Sequence, residues 1–148
     1  MASYVRWTHT TRASEARSGV VAAEVAIVVP ILLLFALAAA DFGRISHSQQ
    51  IVSNAARTAA EFGATRQFSS HNKDAWEADV RRAAMNELES ISEFVEANVE
   101  YELSTSTDSD GIVRLAVTVA YPFRTVISWP GMPTAVTLRQ RIEFRQFR

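Results

Sequence analysis

Residues 20–40 read VVAAEVAIVVPILLLFALAAA, a run of 21 residues in which Glu24 is the only charged one. In a helix that rises about 1.5 Å per residue, about 20 apolar residues match the roughly 30 Å hydrocarbon core of a bilayer. The alternative is a core helix of a soluble protein. A helix that is apolar all round must then be surrounded by other elements, and the polar residues before the run, 1–19, cannot form part of such a shell. The run therefore predicts a transmembrane helix.

The charges on either side of the run predict its orientation. Three arginines precede it, whereas Asp41 and Arg44 cancel just after it. Because positive flanks stay in the cytoplasm, we expect the N-terminus inside and the rest of the chain outside the inner membrane. The predicted parts are a basic cytoplasmic leader over 1–19, a transmembrane helix over 20–40 and an exported α+β head domain over 41–148.

A cleavable secretory signal is the main alternative to an anchor. Three alanines, 38–40, stand before Asp41 in the small-x-small form that signal peptidase accepts. However, the apolar stretch exceeds the usual h-region of about 7 to 15 residues, and it contains both an acid and Pro30. The sequence favours the anchor, and a secreted protein that begins at Asp41 stays open.

A charged carboxylate at Glu24 raises the free energy of inserting the helix into a membrane. At the bilayer centre it would cost roughly 2.5 to 3.5 kcal/mol, and less near an end of the helix. On this ground alone, a functional role and simple tolerance are equally favoured. Its neighbours matter, because Gly19 stands at the junction of leader and run and Glu24 is the fifth residue after it.

Gly19 and Glu24 at this spacing resemble the processing site of type IV pilin-like proteins. The resemblance implies that a membrane-embedded prepilin peptidase cuts between Gly19 and Val20. It also implies that Glu24 guides assembly by pairing with the new amino terminus of a neighbouring subunit, which would offset the cost of burying both charges. Gly19 has no Cβ, so we expect it to break the helix and admit the protease.

Further stretches narrow the resemblance to one family. They are IVVPILLL at 27–34, DFGR at 41–44 and AARTAA at 55–60. Together with residues 19–24 they resemble the TadE-like pseudopilins of the tight-adherence (Flp) pilus system, over roughly Arg17 to Gly63. Val25 differs, because the family usually has an aromatic residue after the acid.

This resemblance implies a non-enzymatic minor pilin or pseudopilin that acts in pilus biogenesis or secretion. The implied partners are a prepilin peptidase, other pilin and pseudopilin subunits, the inner-membrane assembly platform and membrane lipid. The implied location is the bacterial inner membrane, with a single pass and a periplasmic head, or incorporation into an extracellular pilus.

Pro30 is a candidate weak point of the transmembrane helix. A proline in a helix removes the hydrogen bond to the carbonyl four residues back, here that of Ala26. In membrane helices this is often only structural. In a pilin-like subunit it would let the helix bend or stretch as it leaves the bilayer.

The helical period continues past the run and predicts one helix from about Val20 to Arg66. Its stripe comprises Phe42, Ile45, Val52, Ala55, Ala56, Ala59, Phe62 and Gly63. The small residues suit close packing on a neighbour's helix or on the head's own sheet, and we favour the sheet. A second helix is predicted from an N-cap at Asp74, with Glu77 three residues on, to about Glu96. Its core stripe is Trp76, Val80, Ala84, Leu88, Ile91 and Val95.

The last third of the chain alternates with a period of two, which predicts three strands. Pairing Leu103 with Val117 keeps the apolar faces together and leaves a three-residue loop, 109–111, between the first two strands. Gly111 then takes the left-handed position of a bulged hairpin. The same DSDG segment could belong to a calcium loop, but the glutamate that closes such a loop is missing, so a plain hairpin is favoured.

The connection PFRTVISWPGMP, residues 122–133, is long and apolar for a loop. Its apolar side chains include Phe123, Val126, Ile127 and Trp129, and the candidate partner contacts are Phe123, Ile127 and Trp129. They either fold back over the sheet or contact a partner. Packing on the sheet is slightly favoured, and contact with a neighbouring subunit is the more specific hypothesis.

Composition excludes several functions. The net charge is −1, with 15 basic and 16 acidic residues, and there is no cysteine. Nucleic acid is therefore not an expected partner, and thiol catalysis and Cys-type zinc sites are excluded. His9, His47 and His71 are isolated, and we nominate no catalytic residue, metal or cofactor. A membrane-anchored or secreted periplasmic binding module is the rival function, and an unrecognised hydrolase is a distant third.

Overall fold

Two helices precede a three-stranded sheet in the computed structural model, which describes residues 12–69, 71–128, 131 and 133–146. The elements are α1 (Arg12–Thr65), α2 (Lys73–Leu88), a short 3₁₀ turn (Glu96–Asn98), β1 (Glu100–Thr107), β2 (Val113–Arg124) and β3 (Ala135–Arg145). The predicted α+β class is confirmed. The chain divides into two compact units between Ala40 and Asp41.

The sheet is an antiparallel meander in the order β1-β2-β3. Leu103 lies opposite Val117, as the matching of apolar faces predicted. Across the other edge of β2, Val117 lies opposite Ile142. Alternate residues of β2 therefore form one apolar face, made of Leu115, Val117, Val119, Tyr121 and Phe123, all buried.

The β1–β2 connection is the predicted bulged hairpin. The Asp108 amide donates to the Ile112 carbonyl at 2.9 Å, and Gly111, whose φ is +74°, donates to the Asp108 carbonyl at 2.9 Å. The Asp108 carboxylate accepts a 2.7 Å hydrogen bond from Arg114, which also bonds Glu143 at 3.2 Å. The hydrogen bonds that Arg114 donates to Asp108 and Glu143 raise the pKa of Arg114. The Asp108 carboxylate thus binds a side chain of β2.

The head's core lies between the apolar face of the sheet and the two helices. In α1 the residues at this core are small, and Ala55, Ala56, Ala59 and Ala60 have no exposed surface. Small side chains allow a helix backbone to approach a sheet closely, so the predicted packing on the head's own sheet is confirmed. α2 contributes Trp76, Val80, Ala84, Met85 and Leu88 to the same core.

The predicted start of α2 is wrong. Its N-cap is Asn72, and Asp74 already lies in the first turn. The Asn72 side chain does not cap its own helix. Its Oδ1 accepts the Ser69 amide at 2.6 Å and so closes the preceding turn, which positions the chain to begin a helix at Lys73.

The predicted end of α2 is also wrong, because the helix stops at Leu88 and not near Glu96. The Ile91 amide donates to the Leu88 carbonyl at 2.9 Å, a three-residue spacing that tightens the last turn. Glu93 then takes a φ of +61°, which no α-helix continues. Ile91 is buried as predicted, whereas Val95 is 49% exposed and does not belong to the core.

The β2–β3 loop is tied back to α1 by a buried carboxylate. Asp41 is 7% exposed, and its Oδ1 accepts the Val126 amide at 3.1 Å and lies 3.3 Å from Arg44 Nη1. Phe42, which the predicted stripe placed in the core, is 73% exposed. At the start of the head, α1 therefore turns an acid inward and an aromatic ring outward.

We expect Gly63→Ala to destabilise the head. A Cβ there would collide with Leu115 Cδ2 and lie 3.2 Å from side-chain atoms of Trp76 and Val80, and overpacking costs about 1–3 kcal/mol of unfolding free energy. The control is Gly43→Ala, since a Cβ at Gly43 has nothing within 4 Å and alanine favours a helix by about 1 kcal/mol. Denaturation of the full chain in detergent micelles measures both. Equal effects would contradict the close packing of α1 on β2.

We expect Asp41→Ala to lower the free energy of unfolding by about 1–3 kcal/mol, because it leaves the Val126 amide without this acceptor. Asp79→Ala is the matched control. Asp79 also pairs with an arginine three residues on, at 2.8 Å, but its side chain is 40% exposed, so we expect a loss below about 1 kcal/mol. Amide exchange at Val126 should accelerate only in Asp41→Ala. Unchanged exchange there would show that the hydrogen bond does not hold the loop.

Candidate functional site

The residues with predicted roles in processing and assembly lie in the apolar part of α1. From Val20 to Leu37 its large apolar side chains are between 42% and 70% exposed. An apolar surface of this extent is stable only against lipid or other protein. By length and composition, α1 from Gly19 to Thr65 is sufficient to cross a membrane.

Glu24 is an exposed carboxylate on this apolar surface. Among the residues that the structure describes, it has no ion-pair partner. Val20 lies one turn before it, about 6 Å along the helix axis, and residues four apart share a helix face. A positive charge at Val20 would therefore lie near the Glu24 carboxylate. A positive charge that another molecule brings to this face of the helix would do the same.

Gly19 lies within α1, which begins at Arg12, so the predicted helix break is absent. The residues before it include Ala13, Glu15 and Ala16, which are good helix formers and carry the helix through the glycine. A Cβ at Gly19 would meet nothing within 4 Å. Packing among the described residues therefore does not require a glycine here, although glycine costs a helix about 1 kcal/mol relative to alanine.

α1 also continues through Pro30. The proline has no N–H, so the Ala26 carbonyl lacks its usual donor within the helix. A helix with one missing hydrogen bond in its apolar part is locally easier to deform. The role of Pro30 as a weak point stays a prediction.

The three predicted partner-contact residues of the segment 122–133 have different positions, and Phe123 lies in β2 and not in the loop that follows it. Phe123 is 7% exposed and belongs to the core, with the Arg44 guanidinium 5.3 Å from its ring centre. The burial of Phe123 in the core agrees with the alternative in which the segment packs on the sheet. Ile127 is half-buried. Trp129 lies outside the described residues, so its contact with a partner stays a prediction.

The head also contains a polar cavity of about 370 Å³ that sequence reasoning missed. Its lining includes Arg44 and His47 from α1, Glu93 from the turn after α2, and Arg124 from the end of β2. These residues are distant in sequence and form no motif, so only the fold brings them together. Within the described parts of the chain, no group of three or more acidic or histidine side chains could hold a metal ion.

Comparison with known proteins identifies the segment that contains this apolar helix. Residues 19–61 match the family model described as TadE-like protein. No curated protein and no solved structure matches the chain. The matched segment begins at Gly19, includes Glu24 and the whole apolar run, and ends in the alanine-rich part of α1. Over this segment the chain is similar to the TadE-like proteins of the Tad pilus system.

Proposed function

We propose that this chain is a minor pilin or pseudopilin that a prepilin peptidase cuts after Gly19. It would act without catalysis in the assembly of the Tad (Flp) pilus or in the associated secretion. The family match over 19–61 carries this proposal, because the matched segment contains Gly19 and Val20, which flank the proposed cleavage site, together with Glu24 and the apolar helix. The same match and helix suggest a membrane-anchored Tad pilus component.

Assembly would depend on two charges in an apolar environment. Cleavage after Gly19 would leave Val20 with a charged amine, and Glu24 lies one turn further along the helix. An unpaired buried charge is costly, and a well-placed opposite charge offsets much of that cost. A neighbouring subunit in the correct register would bring its carboxylate to this amine, whereas a subunit in another register would leave both charges unpaired.

The basic leader would keep the N-terminus in the cytoplasm, where the peptidase acts, and the head would lie in the periplasm. The proposed partners are accordingly the prepilin peptidase, other pilin and pseudopilin subunits and the assembly platform of the inner membrane. Membrane lipid would surround the apolar helix before assembly.

The second candidate is a membrane-anchored or secreted binding module unrelated to pili. The polar cavity of the head favours it, since arginine and histidine side chains there face a volume of about 370 Å³. A module of this kind would use the apolar part of α1, residues 20–40, only as an anchor, or would lose it by cleavage before Asp41. The two candidates therefore differ in what they require of Gly19 and Glu24.

Co-expression with a prepilin peptidase should shorten the chain by residues 1–19, as measured by the intact mass. Gly19→Leu should abolish the shortening, because a bulky side chain blocks access to the scissile bond. Gly43→Leu is the control, since both glycines are helical and a Cβ added at either would have nothing within 4 Å. A mature protein that begins at Asp41 would establish the secreted module, and an intact Met1 would establish a permanent anchor.

We expect Glu24→Gln and Glu24→Leu to abolish co-purification with other pilins and to reduce piliation, because the amine would lose its counter-charge. Glu61→Gln is the matched control, as Glu61 is an exposed acid of the same helix and lies within the same family match. Membrane levels of all three variants should be equal by immunoblot. Unchanged piliation in both Glu24 variants would contradict the assembly role.

A further inference from the structure

We propose that the head contacts the membrane surface through Phe42, Arg44, Arg124 and Val126, which we call the juxtamembrane patch. Its partner would be the headgroup layer of a phospholipid bilayer. The proposal rests on the membrane insertion proposed above and assigns a lipid-binding surface to the head itself.

The apolar half of the patch is the most exposed apolar surface of the described head. Phe42 and Val126 are 73% and 71% exposed, more than any other large apolar residue described after Ala40. Side chains of this kind bury their apolar surface at the boundary between headgroups and acyl chains. In water, exposed apolar side chains of this size would lower the solubility of the head.

Chain connectivity for Phe42 and one hydrogen bond for Val126 keep both residues near the end of the apolar run. Phe42 follows Ala40 by two residues. Val126 is distant in sequence, but its amide donates to Asp41 at 3.1 Å, and Asp41 is bonded directly to Ala40. Val126 thus stays within about 10 Å of Asp41 whichever way the head points. A bilayer that ends at the run is within reach of both residues.

The polar half of the patch has the chemistry of a headgroup site. Arg44 and Arg124 line the same cavity, and guanidinium groups bind phosphate oxygens with paired hydrogen bonds. The cavity also contains the carboxylate of Glu93, which suits an ammonium. A zwitterionic headgroup with both phosphate and ammonium matches these charges better than phosphate alone.

Single-cysteine labelling tests the patch, because the chain has no cysteine of its own. The full chain with Val126→Cys carries one environment-sensitive fluorophore and is placed in vesicles of phosphatidylethanolamine and phosphatidylglycerol. We expect blue-shifted emission and quenching by lipids with a nitroxide near the headgroup. An aqueous spectrum without quenching would overturn the proposal.

Ser109→Cys provides the matched position at the other end of the head. Ser109 lies in the β1–β2 hairpin, next to the start of β2. There Gln146 bonds both the Val113 carbonyl, at 2.8 Å, and the Arg66 carbonyl, at 2.9 Å. Arg66 follows the end of α1, which is about 36 Å along the helix axis from Asp41. We expect its label to stay aqueous, and equal quenching at both positions would contradict a specific patch.

Leu33→Cys separates this proposal from membrane insertion itself. A label at residue 33 should be quenched by nitroxides deep in the acyl chains. If it is, and the label at residue 126 is aqueous, only the patch is wrong. If the label at residue 33 is not quenched either, the proposed membrane insertion is wrong, and the proposed patch is wrong with it.

Two further comparisons identify the partner. With the label at residue 126, Arg124→Glu should weaken quenching, whereas Arg141→Glu, an exposed arginine in the middle of β3, should leave it unchanged. Equal effects would overturn headgroup recognition by Arg124. Diluting the protein in lipid should not alter the signal. A signal that fades on dilution would assign the patch to a second copy of the chain, which also overturns the proposal.

Discussion

A single helix, α1, has to suit two environments, and the size of its side chains determines how it does so. Up to Leu37 it presents large aliphatic residues that stay exposed, as a lipid or protein surround requires. From Ala55 to Gly63 it presents alanine and glycine to the sheet. The close approach that these small residues allow sets the thickness of the core and hence the positions of α2 and β2.

That division limits how subunits can pack together. The alanine-rich face of α1 is used within the head, where its side chains have no exposed surface. It is therefore not available to a neighbour's helix without opening the core. In the proposed assembly, the apolar part of α1 would supply the contacts between helices of different subunits, and Glu24 would distinguish one register from another.

Local patterns in the sequence predicted the sheet well and the ends of α2 poorly. The register of β1 and β2 follows from alternation, because a shift by one residue would expose the whole apolar face. The end of α2 could not be read in this way, since Ile91 keeps the helical spacing and is buried although the backbone has left the helix. The bond between Asp41 and Val126 joins residues 85 positions apart, so no local pattern reports it. The polar cavity was missed for the same reason.

The meander leaves β1 and β3 as the outer strands of the described sheet. An outer strand offers backbone donors and acceptors that can pair with a strand of another molecule. β3 carries Arg139, Arg141, Glu143 and Arg145, and charged side chains on an outer strand disfavour its continuation by a strand of another molecule. The charges of β3 therefore disfavour the joining of two heads into a shared sheet through this strand.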